Sequence, residues 1–424
     1  MMRDEKITNS IDWTTVFVYI TLVIMGWLNV YAAVHDPEAQ KSIFDLSINS
    51  GKQLMWIGAS IILIVFILLI DYKFWETLAY VIYGLMILVL IGVLLFGKEV
   101  AGSKSWFEIG SFRFQPAEFA KFATALAFAK YSSGHFIKMS DFKTQFISFV
   151  IIGIPITLIM LQGDTGTAMV FSAFVVVMFL EGMSPLLIII GLSGGILLVV
   201  ALVFKDFIFH IIGFFLASAS LAIWATKRKT FRNIFPIVAI CVSCVIYVLS
   251  VDYVMKSNFF KPHQKNRINS LIDPEADFKG AGWNVIQSKI AIGSGGFLGK
   301  GFLNGTQTKF DFVPEQSTDF IFCTIGEEHG WLGSLIVISL FVFLMFRISF
   351  LAERQKTRFA KIYGYCVVCI LFFHFLVNIG MTIGLFPIVG IPLPFFSYGG
   401  SSLWSFTILL FIFLNLDTNR KLIL

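Results

Sequence analysis

The stretch Leu186-Leu-Ile-Ile-Ile-Gly-Leu-Ser-Gly-Gly-Ile-Leu-Leu-Val-Val-Ala-Leu-Val-Phe204 runs for nineteen residues without a charge. A hydrocarbon layer about 30 Å thick needs roughly 20 apolar residues of helix to cross it, so this stretch reads as a membrane span. Lipid offers backbone groups no partner, so only a helix or a closed barrel survives there. The strict alternation of a barrel strand is absent, which leaves the helix.

Similar blocks recur on both sides. They run 13–34, 54–70, 75–96, 116–131, 146–161 and 165–180 before this one, and 207–226, 234–251, 320–346, 362–386 and 395–416 after it. The predicted fold class is therefore all-α, a polytopic membrane bundle of about twelve helices. Of the 424 residues, 57% are hydrophobic and 14% are charged. A soluble domain carries roughly 25% charged residues. The formal charge of +6 does not indicate a nucleic-acid partner, because the cations sit at span ends, where they set topology. Residues 1–13 are polar and the first span is too long for a cleaved signal, so it is expected to stay as an anchor. Cys241/Cys244 and Cys366/Cys369 each form a CxxC pair inside a span. Helix packing by small polarizable side chains is the reading preferred over a four-thiolate zinc site.

Cations concentrate in alternate short loops: Lys138 and Lys143, then Lys227 to Arg232, then Arg347 to Lys361, then Arg420 and Lys421. The positive-inside rule puts these loops and both termini in the cytoplasm. The loop 252–318 then lies outside, as does the short loop holding Lys98, Lys104 and Arg113. No internal repeat pairs the two halves, which weighs against a transporter.

Ionisable groups at membrane depth are candidate functional residues. Glu118 and Lys121 are three apart in the fourth span and share a helix face, as a structural ion pair or as the wall of a polar cavity. Before them, Trp106, Arg113 and Gln115 lie where the chain enters the membrane. Asp164, in Gln162-Gly-Asp-Thr-Gly-Thr167, is a helix N-cap or a site residue.

The outer loop is the richest segment. It carries Arg267, Gly280 to Lys289, and Gly293-Ser-Gly-Gly-Phe-Leu-Gly-Lys-Gly301. The last run is no Walker A motif, since no Ser or Thr follows Lys300. It is a turn, or a set of N–H groups that approach a phosphate with Lys300 adding charge. Next comes Val313-Pro-Glu-Gln-Ser-Thr-Asp-Phe320. Pro314 suits a first helical turn, which would set Glu315 and Asp319 on one face. Asp319 adjoins Phe320, Ile321 and Phe322, a setting in which partial desolvation makes a better general base. Glu327, Glu328 and His329 follow as a hydrogen-bonded network or a polar path. Pro392 to Ser402 breaks the helical pattern at membrane depth, which is permitted where backbone lines a cavity or is buried in protein. Asn378 is positioned to face the same cavity.

These stretches, in order from 102 to 402, resemble the SEDS family of bacterial cell-wall proteins (shape, elongation, division and sporulation). The matching runs are 102–106, 112–121, 162–168, 267–273, 280–301, 314–322 and 392–402. The resemblance implies a peptidoglycan glycosyltransferase in the bacterial cytoplasmic membrane that polymerises lipid II on the outer face. It further implies a class B penicillin-binding protein as crosslinking partner, alongside other membrane proteins of the elongation machinery. The family's essential carboxylate falls on Asp319, its Trp on Trp106, and its Glu and Lys on Glu118 and Lys121. Three departures stand out. Ser317 occupies a position where the family often has His, so no His relay operates there. Gly163 and Thr165 replace Pro and Leu around Asp164. The family has ten spans, so the pair within 207–251 reads as an insertion.

The implied reaction is inverting transfer, in which Asp319 takes the proton from an acceptor sugar hydroxyl as the lipid pyrophosphate leaves. Lys121, Arg267, Lys289 and Lys300 are the candidate cations for the leaving group. The sequence assigns no cofactor, and a divalent ion such as Mg or Mn is the candidate to share that charge. A flippase with a polar route through Glu118, Lys121, Glu327 and His329, and a scaffold without chemistry, are the alternatives.

Overall fold

A computed structural model describes residues 11–35, 42–100, 102–110, 112–204, 207–226, 230–257, 281–308 and 312–422. Arg267 lies outside the described residues. The chain divides into two compact units, one of residues 1–183 with 284–424 and the other of residues 184–283.

The first unit begins with α1 (Trp13–Ala33), whose N-cap Asp12 accepts from the Thr15 N–H at 3.1 Å and hydroxyl at 2.6 Å. There follow α2 (Asn49–Leu69), α3 (Tyr72–Thr77) and α4 (Ala79–Phe96). A three-stranded antiparallel sheet comes next: β1 (Lys98–Val100), β2 (Ser103–Ile109) and β3 (Phe112–Phe114). This sheet adds to the all-helical expectation. Glu108 stands opposite Arg113 across β2 and β3, and Lys98 also bonds Glu108. The Lys98 hydrogen bond, with Arg113 beside it, holds the Glu108 carboxyl below its usual range.

Then come α5 (Pro116–Ser132), opened by Pro116 in its first turn, and α6 (Phe142–Leu161). The block 165–180 is broken into α7 (Thr165–Val170) and α8 (Ala173–Leu180). The second unit is α9 (Leu186–Val203), α10 (Ile208–Ala225) and α11 (Phe231–Lys256). Its helices enclose an apolar cleft of about 1240 Å³ lined by Ile190, Leu197, Phe214 and Tyr247 among others. The first unit resumes at Asn284, within α12 (Ala281–Ser294), and continues in α13 (Ile321–Glu353), α14 (Arg358–Thr382) and α15 (Gly400–Thr418).

Among the described residues, ten helices are long and apolar enough to cross a membrane. The two other expected spans are the 17-residue α5 and the interrupted α7–α8 pair. Helix α5 buries almost every side chain, including Glu118, Lys121 and Thr124. It packs against α4, α6, α14 and α15. Protein rather than lipid surrounds it, so polar residues and a short apolar run are tolerated. Helix α15 is likewise buried along its length, and with α5, α13 and α14 it forms the core.

Helix α13 spans 33 residues, about 50 Å at 1.5 Å per residue. It bends at Gly330, whose φ of 64° and ψ of −157° leave the helical region. The glycine-rich run fills this break. The Lys300 and Gly301 N–H groups donate to the Glu327 and Glu328 carbonyls at 3.0 and 2.9 Å, and Trp331 N–H donates to the Gly296 carbonyl at 2.9 Å. A kink frees helical backbone groups that need new partners, and this run supplies them. The Lys300 and Gly301 amides therefore serve α13. Basic residues collect at the far end of the same helix. Arg347 grips Asp12 at 2.5 and 3.2 Å, and Arg354 and Arg420 converge on the buried Asp417 at 2.6 and 2.9 Å.

Candidate active site

The segment preceding α13 is a run of turns, so Pro314 does not begin a helix and Asp319 does not stand on one. The expected shared helical face of Glu315 and Asp319 is absent for the same reason. Glu315 instead takes a left-handed φ of 55° and accepts from the Thr318 hydroxyl at 3.0 Å. The extra turn carries Asp319 to the mouth of α13, where it is half-buried.

Asn378 holds that position. Its Nδ2 donates to the backbone carbonyl of Asp319 and to that of Ile391, both at 2.8 Å. The Asp319 carboxylate lies against Gly390: a Cβ there would sit 3.2 Å from Oδ2. A side chain at 390 would crowd the carboxylate, and Gly390 also has a φ of 69°. The segment Val389–Ile391 thus forms one wall beside Asp319.

The same segment touches Asp164's neighbourhood. A Cβ on Gly166 would meet the Val389 carbonyl at 2.1 Å, so only glycine permits this approach. Asp164 takes the N-cap role considered for it. It caps α7 by accepting from the Thr167 N–H at 3.0 Å and hydroxyl at 2.9 Å. It also accepts from Gln115 Nε2 at 2.8 Å. Gln115 N–H donates to the Ser401 hydroxyl at 3.2 Å, and that hydroxyl reaches the Arg113 carbonyl at 3.3 Å. Asp319, Asp164, Gln115 and the Arg113 backbone are therefore linked through the Val389–Ile391 segment and the start of α15. Arg113 keeps its side chain 54% exposed, 3.4 Å from Glu108. Trp106, on β2, is half-buried.

Lys121 and Lys300 are engaged elsewhere. Lys121 is buried and donates to Glu118 at 2.8 Å and to His374 Nε2 at 2.8 Å, with its ammonium 4.5 Å from the Phe406 ring centre. Lys300 donates to the buried Glu327 at 2.6 Å. The Glu327 carboxylate also gathers the N–H groups of Thr306, Gln307 and Thr308 and the hydroxyls of Thr306 and Thr308. Both cations are matched by a carboxylate, so neither carries surplus charge for a leaving group. Of the polar route considered for a flippase, Glu118, Lys121 and Glu327 are buried and bonded within the protein. Lys289 is exposed on α12, its ammonium end close over Gly384.

Several site residues escape the sequence reading. Gln53 on α2 accepts from Gly399 N–H at 3.2 Å, Asn49 donates to the Ser317 hydroxyl at 3.2 Å, and the Ser317 carbonyl accepts from Tyr398 N–H at 2.9 Å. His374 reaches the Pro392 carbonyl through Nδ1 at 3.1 Å. One signal was available: His374 and Asn378 are four apart in an otherwise apolar helix, hence on one face. Nothing in the sequence joins Gln53 or Asn49 to segments more than 250 residues away.

The break expected at 392–402 is present, with α15 starting only at Gly400. Phe395 there has a φ of 64°. With Glu315 it makes two non-glycine left-handed residues beside one site, where such strain tends to concentrate.

Comparison with known proteins follows the same lines. The profile of the FtsW/RodA/SpoVE family of cell cycle proteins matches residues 12–219 and 196–422. The chain is 32% identical to the peptidoglycan glycosyltransferase RodA of Treponema pallidum, over 94% of this chain and 95% of that one. It is also 32% identical to the peptidoglycan glycosyltransferase MrdB of Escherichia coli K12, over 97% and 95%. Among solved structures, a chain of a peptidoglycan synthase complex coordinating polymerization and crosslinking superposes with a TM-score of 0.67 at 24% identity, over 97% of this chain and 98% of that one. The rod shape determining protein RodA of Thermus thermophilus gives 0.62 at 22%, with the same coverage. The structural likenesses establish a shared fold, and the profile with the two curated relatives establishes descent: the chain belongs to the FtsW/RodA/SpoVE family of multi-pass membrane proteins.

Proposed function

We propose that the protein is a peptidoglycan glycosyltransferase that polymerises lipid II, with Asp319 as the general base. The observation that carries this reading is the Asp319 carboxylate, half-buried against Gly390, with its backbone held by Asn378. A carboxylate partly withdrawn from water and rigidly held suits proton abstraction from a sugar hydroxyl. The acceptor oxygen attacks the anomeric carbon of the second lipid-linked sugar, and the pyrophosphate-bearing lipid leaves. Asp164 and Gln115 border the same wall and offer hydrogen bonds to a sugar or peptide, with Trp106, Arg113 and Glu315 at its approaches. With Lys121 and Lys300 committed to carboxylates, Lys289 and Arg267 are the cations assigned to the leaving group. Mg or Mn would share the negative charge of the leaving group, and such an ion needs only one or two protein carboxylates. It therefore does not need a cluster of three ligating side chains, and the described residues contain none. No step above depends on it.

The site faces the outer side. Arg347, Arg354, Arg358 and Arg420 mark the cytoplasmic end, and Asp319 sits at the other end of α13, about 40 Å away along the helix. Both termini are then cytoplasmic, in the bacterial inner membrane. A class B penicillin-binding protein is the crosslinking partner, a reading supported by the fold likeness to a chain of a polymerising and crosslinking complex. We read the helix pair within 207–251 as an insertion into the family's ten spans.

The test is polymerisation of purified lipid II in detergent, read as glycan polymer on a gel. Asp319→Asn is expected to lose about 10²- to 10⁴-fold, the usual worth of a positioned base, with melting unchanged. Wild-type activity in that variant refutes the assignment, and absence of polymer from the wild type with its partner favours a scaffold.

A further inference from the structure

We propose that His374 and Asn378 are positioning residues that set Asp319 against its wall, a role that rests on the reading of Asp319 as the base. The two lie one turn apart on α14, facing the non-helical run 389–392. Asn378 uses both amide hydrogens, one on the Asp319 carbonyl and one on the Ile391 carbonyl, each at 2.8 Å. Its side chain is fully buried, and its Oδ1 has no partner among the described residues. The amide cannot turn over, because that would press Oδ1 against two carbonyl oxygens. Asn378 is thus a fixed spacer between the backbone carrying Asp319 and the backbone flanking Gly390.

His374 extends the clamp by one residue. The Lys121 ammonium has no acceptor capacity, so in its 2.8 Å contact with Nε2 it must donate. The ring proton then sits on Nδ1, 3.1 Å from the Pro392 carbonyl, and donates to it. Phe406 packs edge-on against the imidazole with centroids 4.7 Å apart. The buried Glu118–Lys121 pair therefore selects the tautomer of His374 and, through it, anchors Pro392. This gives the ion pair a function within the site although it touches no substrate. Ile391 and Pro392 are held from one helix face, and Gly390, against which the carboxylate rests, has little freedom left.

The experiment measures kcat and KM for lipid II polymerisation, with thermal melting, in the full-length protein with its partner. Asn378→Leu and His374→Phe are expected to lower kcat about 10- to 100-fold with KM within a factor of about two, since a misplacement near 1 Å costs on the order of 10². His374→Gln offers an acceptor to Lys121 and a donor to Pro392, and should recover kcat to within a few-fold. Asn378→Asp keeps the volume but supplies at most one donor, so it should lose rate even where the Leu variant fails to fold. A Gln variant no better than Phe, or an Asn378→Asp enzyme with wild-type kcat, overturns the positioning role alone. An active Asp319→Asn enzyme, assayed alongside, overturns the base assignment and the positioning role with it.

Discussion

Replacing Glu327 with Ala is expected to destabilise the outer loop of the first unit by about 3–5 kcal/mol, the cost of removing one partner from a buried ion pair. The magnitude follows from what the carboxylate holds. It is fully buried, and it accepts from the Lys300 ammonium, from three consecutive N–H groups at 306–308 and from two threonine hydroxyls. Each N–H left unpaired in the interior costs about 1–3 kcal/mol, but the loop can open and find water, which caps the total. The loss should therefore appear as local opening. Limited proteolysis should cut within 300–308 in the variant and spare the wild type, and the detergent-solubilised protein should melt earlier. Glu327→Gln keeps the volume but turns one acceptor into a donor facing N–H groups, and should fall between the two. An Ala variant with wild-type melting and no new cleavage would refute the view that this carboxylate organises the loop.

Two further outcomes follow from close approaches and buried charge. Gly166→Ala sets a methyl about 2.1 Å from the Val389 carbonyl and must displace the wall beside Asp319; polymer synthesis should fall at least about tenfold. Gly58→Ala, where a Cβ meets nothing within 4 Å, should behave as wild type, and equal activity in both refutes the wall. Lys121→Met should cost about 3–5 kcal/mol by stranding Glu118, while Glu118→Gln with Lys121→Met should recover part of it. Strict additivity in that double-mutant cycle, measured by thermal unfolding, would show that the pair does not act as a unit.

The spans were legible because lipid enforces one rule over some 20 residues at a time, and composition reports it directly. Leu186 to Phe204 needs no partner to be read as a helix. The break at 392–402 was also visible, since prolines and glycines at membrane depth are costly and stand out, and so was Asp164 as an N-cap. The pairing of these residues was not. That Lys121 answers to His374, that Lys300 is neutralised by Glu327, and that the glycines of 293–301 complete a broken helix all depend on which segments meet. The helix expected at Pro314 failed for the same reason. A local propensity worth a fraction of a kcal/mol per residue gave way to the Ser317 and Asp319 carbonyls and the Ser317 hydroxyl, which accept from Tyr398, Asn378 and Asn49. Sequence alone determined which segments enter the membrane, because that depends on transfer to a solvent. Tertiary structure decided which charges are free to do chemistry, because a buried charge is defined by its partner.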